Sequence, residues 1–85
     1  MLNRTRFEVA NVVIQVVSDA LSVPSTGITE ATQIVEDLHA NSMDIVAIAM
    51  GVDDAFDMEV DLNVIPRDGI TVGWVVDYVM RNRAT

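Results

Sequence analysis

The chain has no cysteine and no lysine, and only one histidine, one tryptophan, one tyrosine and two phenylalanines in 85 residues. The missing thiols exclude a disulfide framework, a thiolate metal site and a cysteine nucleophile. One histidine and no lysine leave few groups able to move protons near neutral pH, which disfavours an autonomous catalyst. Positive charge is scarce: five Arg stand against 13 Asp and Glu, giving a net charge of −8 and a pI near 4.1. Such a field repels a nucleic-acid backbone and steers basic protein surfaces or cations inward. Long apolar runs are missing as well. The longest uncharged one, Ile45 to Val52, falls far short of the ~20 residues that cross a bilayer, so no membrane insertion is expected. Arg4 and Arg6 precede a Val-rich stretch, but Glu8, Asn11, Gln15 and Asp19 interrupt it and no small-residue cleavage site follows. The expectation is a cytoplasmic, free-standing, monomeric protein.

Apolar residues nevertheless make up 51% of the chain and charged ones only 21%, which separates it from a disordered acidic tail. Its length fits one domain spanning residues 1–85. Three amphipathic segments carry the pattern. The first runs from about Thr5 to Leu21. Thr5-Arg6-Phe7-Glu8 has the spacing of a capping box, and Phe7, Ala10, Val13, Ile14, Val17 and Leu21 recur at helical intervals. From Ser22 to about Ala40 extends a long connection punctuated by Pro24 and Gly27, with Ile28, Ile34, Val35 and Leu38 available to pin it.

The second helix is the clearest. Asn41 and Ser42 are both good caps, and Asp44 sits in the first turn, where negative charge suits the dipole. Ile45, Ile48, Ala49, Val52 and Phe56 form one buried stripe, and Met43, Ala47 and Met50 form another that ends at Asp54. A loop from about Asp57 to Ile70 holds Pro66 and Gly69. Thr71 then caps a last helix whose Val72, Val75, Val76 and Val79 face inward, with Asp77 and Arg81 as an i, i+4 ion pair. Trp74 and Tyr78, one turn apart, are expected to pack. The predicted fold class is all-α, a small helical bundle.

Ser42 stands where the long loop enters this best helix, so an anionic group on its hydroxyl would meet free amides and the positive end of the dipole. Position alone favours the plainer reading, in which Ser42 helps to cap the helix. The neighbouring residues weigh the other way. Glu36-Asp37-Leu38-His39-Ala40-Asn41-Ser42-Met43-Asp44 resembles the modification site of the acyl carrier proteins, where a Leu-Gly-Ala/Val-Asp-Ser-Leu-Asp stretch opens the second helix of a four-helix bundle. The likeness continues through Asp53-Asp54-Ala55-Phe56-Asp57-Met58-Glu59-Val60 and Ile70-Thr71-Val72, and ends in Val76-Asp77-Tyr78-Val79.

That resemblance implies a bundle of three main helices, a short and distorted third helix over about Asp61 to Gly69, and a long first loop. It implies a 4′-phosphopantetheine arm on Ser42, flanked by Asn41 and Met43, installed by a phosphopantetheinyl transferase. The arm's thiol would hold acyl groups as thioesters for acyl-transferring or condensing enzymes of fatty-acid, lipid or polyketide-type synthesis. The chain would then be a carrier and not an enzyme. Asp44, Met50, Asp53 and Asp54 would dock basic patches on those partners, although Met43 and Met50 fit a core role equally well. Asn41 replaces the family's Asp, His39 its Gly and Met43 its Leu, which points to a specialised member.

A rival reading belongs to a different class. Asp57, Glu59, Asp61, Asn63 and Asp68 fall at relative positions 1, 3, 5, 7 and 12, the spacing of a calcium-binding EF-hand loop. Leu62 occupies the position that requires Gly, and Pro66 and the short Asp68 also break the pattern. A solvated acidic loop is preferred, and no metal ligand is assigned. The alternative function is an unmodified acidic interaction module that binds divalent cations through the 57–68 loop.

Overall fold

The computed structural model describes residues 5–66 and 68–82. Its elements are helix α1 (Arg6–Leu21), helix α2 (Ser42–Phe56), a single 3₁₀ turn (Leu62–Val64) and helix α3 (Val72–Asn82). The fold is a small all-α bundle with a long first loop.

Each helix begins at a cap that the local sequence supplies. The Thr5 hydroxyl accepts the Glu8 amide at 3.2 Å, and the Glu8 carboxylate accepts the Thr5 amide at 2.8 Å. Asn41 and Asp44 repeat the reciprocal pair at α2, at 2.9 and 3.0 Å. Thr71 accepts the Trp74 amide at 3.0 Å at the start of α3. Helices α1 and α2 both end on a non-glycine residue in the left-handed region, Ser22 at φ 55° and Asp57 at φ 52°.

The backbone of helix α1 runs close to both α2 and α3, whereas those of α2 and α3 stay farther apart and their side chains meet around a shared apolar space. The core comes from all three helices: Val9, Val13 and Val17 of α1, Ile48 and Val52 of α2, and Val72, Val76 and Val79 of α3. Buried loop residues Ile28, Ile34 and Ile70 complete it. Valine dominates this core, and each buried Val contributes roughly 1.5–3 kcal/mol of burial free energy. Helices α1 and α2 approach so closely that Gly51 leaves no room for a side chain: a Cβ there would lie 2.6 Å from Val16 Cγ1.

The long loop is tied to the start of α3 by backbone hydrogen bonds. The Ile34 amide donates to the Ile70 carbonyl at 2.9 Å, Val72 to Thr32 at 3.1 Å and Gly73 to Glu30 at 2.8 Å. Among the described residues, the segment after α2 forms one 3₁₀ turn, capped by Asp61, whose carboxylate accepts the Asn63 amide at 2.9 Å. It stops at Ile65 because Pro66 forces the preceding residue to extended backbone, here φ −73° and ψ 125°.

Two local expectations are overturned. Phe7 is 75% exposed, and the buried face of α1 turns on Val9 instead. A run of β-branched residues admits more than one helical register, and the packing partners choose between them. Asp77 does not take Arg81. Its carboxylate is held at 2.6 Å by Arg6, which also grips Glu30 at 2.6 Å and so ties α1, the loop and α3 together. The hydrogen bonds that Arg6 donates to Glu30 and then to Asp77 raise its pKa above the ordinary value.

Candidate functional site

Ser42 is the first residue of α2 and lies exposed at its N-terminus. The cap is provided by Asn41, whose side-chain oxygen takes the Asp44 amide. Ser42 is therefore relieved of capping duty, and its hydroxyl is available for chemistry. Among the described residues, no group of the fold takes the amides of Ser42 and Met43, so the positive end of the helix stays open toward it. The preceding turn supports this placement. His39 adopts φ 59°, and the Ala40 amide returns to the Ile34 carbonyl at 3.3 Å, bringing the chain round into α2.

A groove of about 550 Å³ runs beside the serine. Val35, Ala40, Ile45, Val46, Leu62, Ile65 and Pro66 line it with Asn41 and Ser42. Behind it, between α2 and α3, lies an apolar void of only about 20 Å³. Ile45 and Ile65 border both spaces. Trp74 and Tyr78 also line the void, stacked with ring centroids 5.5 Å apart and planes 17° apart. Sequence patterning missed the groove, because residues 62–66 have no periodicity. The only local sign was the Asp-Leu-Asn turn chemistry that Asp61 uses to fold the wall.

The two methionines of α2 are surface residues: Met43 is 80% and Met50 61% exposed, with exposed Val46 and Ala47 between them. Asp44 and Asp54 border this face in sequence, Asp54 exposed and Asp44 half-buried. Asp53 lies deeper, where its carboxylate accepts the Val60 amide at 2.7 Å and its carbonyl accepts the Met58 amide at 3.1 Å. It clasps the exit of α2. The residues of the EF-hand-like spacing are spent differently. Asp57 caps α2 in the left-handed region and Asp61 caps the 3₁₀ turn. Among the described residues, no three Asp, Glu or His side chains gather closely enough to hold a metal ion. No helix among them is long and apolar enough to cross a membrane.

Fold and site together define a small acidic helical bundle that presents a serine at a helix start, beside an apolar groove. The chain is 32% identical over 76 residues to an acyl carrier protein of Syntrophobacter fumaroxidans, an alignment covering 85% of this chain and 88% of that one. It is 31% identical over 75 residues to the acyl carrier protein of Thermotoga maritima, covering 88% of this chain and 91% of that one. No family model matches. The chain belongs to the acyl carrier protein family.

Proposed function

We propose that this protein carries acyl groups on a 4′-phosphopantetheine arm attached to the Ser42 hydroxyl. The observation that carries the reading is the release of Ser42 from capping by Asn41, which leaves an exposed hydroxyl at an open helix N-terminus against an apolar groove. The site fits such a group. A phosphodiester on Ser42 would face unpaired first-turn amides, and the walls offered by Ile45, Val46, Leu62 and Ile65 suit the apolar parts of an arm. When bound, the arm supplies the thiol that this cysteine-free chain lacks, holding an acyl group as a thioester.

The protein's own residues do the rest. Asn41 and Asp44 fix the start of α2 so that the serine keeps one orientation. Met43, Val46 and Met50 offer adaptable apolar contact, and Asp44, Asp53 and Asp54 surround it with negative charge that attracts basic patches. Partners of this chemistry are a phosphopantetheinyl transferase and acyl-transferring or condensing enzymes of fatty-acid, lipid or polyketide-type synthesis. The thiol comes from the arm and the catalysis from the partner enzymes, so the chain acts as a carrier and not as an enzyme. A monomeric, cytoplasmic protein of one domain over residues 1–85 completes the reading.

Intact mass after incubation with coenzyme A, magnesium and a broad-specificity phosphopantetheinyl transferase tests it, alongside a Ser42→Ala control. The expected result is one added phosphopantetheine on the native chain and none on the control. No addition there, together with none on protein isolated from its native host, would overturn it.

A further inference from the structure

The void between α2 and α3 bears on the cargo. It measures about 20 Å³, room for roughly one water. The groove outside it is more than twenty times larger, at about 550 Å³ against 20 Å³, and among the described residues only Ile45 and Ile65 border both spaces. A chain entering from the groove would pass these two residues into a space that Trp74 also lines. Two contacts hold that wall. The Trp74 ring stacks on Tyr78, and the Tyr78 hydroxyl accepts the Asp61 amide at 3.0 Å. Asp61 in turn caps the turn that carries Leu62. Moving Trp74 breaks the stack, and moving Tyr78 with it releases the turn that walls the groove.

The rest of the lining is equally stiff. Ile34, Ile45, Ile48, Val52, Val60, Ile65, Ile70 and Val75 are β-branched, with restricted χ1. Among the described residues, no methionine lines the void, so the side chain best able to flow around a guest is missing from that lining. We infer that Trp74 is a specificity-determining residue that closes the interior to cargo, so that this carrier suits short acyl groups held outside the bundle, in the groove beside Ser42. This inference rests on the carrier reading.

The test loads the native chain with acetyl, butyryl, hexanoyl and octanoyl phosphopantetheine from the matching acyl-coenzyme A, with intact mass reporting the loading at Ser42. Trp74 is the chain's one tryptophan, so its fluorescence reports directly on the void. The expected result is an emission maximum, iodide quenching and melting temperature that do not change with acyl length. In Trp74→Val, the melting temperature rises from butyryl to octanoyl. A progressive blue shift and iodide protection with chain length in the native protein would overturn the inference, and that series decides alone if the variant does not fold. A folded Trp74→Val that stays flat would remove Trp74 from its role. Failure to gain mass at all would sink the carrier reading itself, and is distinguished from the other outcomes by mass.

Discussion

Gly51→Ala adds one methyl group where α1 and α2 cross. The new Cβ would lie 2.6 Å from Val16 Cγ1, a distance that real side chains do not tolerate. Two effects oppose each other. Replacing Gly by Ala inside a helix gains about 1 kcal/mol of propensity. Overpacking a fitted contact costs typically about 1–3 kcal/mol. Val16 cannot turn aside cheaply, because a β-branched residue in a helix keeps one χ1 rotamer about nine times in ten. The clash therefore wins by about 1 kcal/mol, which lowers the melting temperature by roughly 4–8 °C in a domain of this size. The decisive arm is the Val16→Ala background. With both Cγ atoms gone, the nearest remaining Val16 atom is Cβ at 3.7 Å, an ordinary contact. Gly51→Ala then becomes stabilising by up to about 1 kcal/mol. The sign reverses between backgrounds, and the coupling is about 2 kcal/mol, within the range for touching residues. Urea and thermal unfolding followed by circular dichroism read all four proteins, with an unchanged urea m-value as the check on two-state comparison. A stabilising Gly51→Ala in the native background, or the same effect in both backgrounds, would refute the reasoning.

Asn41→Ala removes the cap of α2 and costs about 0.5–2 kcal/mol, measured by the same unfolding curves. An unchanged midpoint would mean that Ser42 takes over the cap. Arg6→Gln cuts the tie between α1, Glu30 and Asp77. Its loss of melting temperature should be visible at low salt and vanish in about 1 M salt, where the Debye length is about 3 Å. Because the Arg6 pKa is raised, the stability it supplies is fully present below the ordinary arginine range and is lost only as pH climbs through the folded value. The penalty of Arg6→Gln should therefore not depend on pH between about 6 and 9. Calcium at millimolar concentration should stabilise the chain no more than magnesium does, by screening its net charge of −8. A calcium-specific response saturating at micromolar levels would instead favour the cation-binding module.

What could be read in the sequence was what depends on near neighbours. The Thr5–Glu8 and Asn41–Asp44 caps, and the Val72, Val75, Val76, Val79 stripe, are set within four residues and appear as expected. Phe7 was placed wrongly because α1 is rich in valine on several faces, and only contact with α2 and α3 selects the one that turns on Val9. Asp77 had a cation one turn away and another 71 residues away, and the distant Arg6 prevailed. Periodicity favours the near partner because it has no knowledge of the far one. The two roles left open for Met43 and Met50 had the same origin. A helix that is apolar on two sides can be covered on both, but here the core takes the Ile48 and Val52 side, and the methionines face water.

The exposed apolar face and the charge of the chain are best understood together. Met43, Val46 and Met50 recur at intervals of three and four residues, so they form one strip along α2 that begins beside Ser42. Left neutral, such a strip would pair with itself on another copy as readily as with a partner. Every copy also carries a charge of −8, so two copies repel one another as they approach. A partner with a basic patch meets the same strip under attraction. The same carboxylates thus oppose self-association and favour a basic partner, giving selectivity through repulsion as well as attraction. Several of them also hold the fold: Asp44 closes the cap of α2, Asp53 clasps its exit and Asp61 caps the 3₁₀ turn. A backbone amide is a neutral partner, so it holds a carboxylate in place without setting an opposite charge against it. Structure and recognition are therefore compatible uses of one side chain, and a chain this short can be strongly acidic without giving up its core.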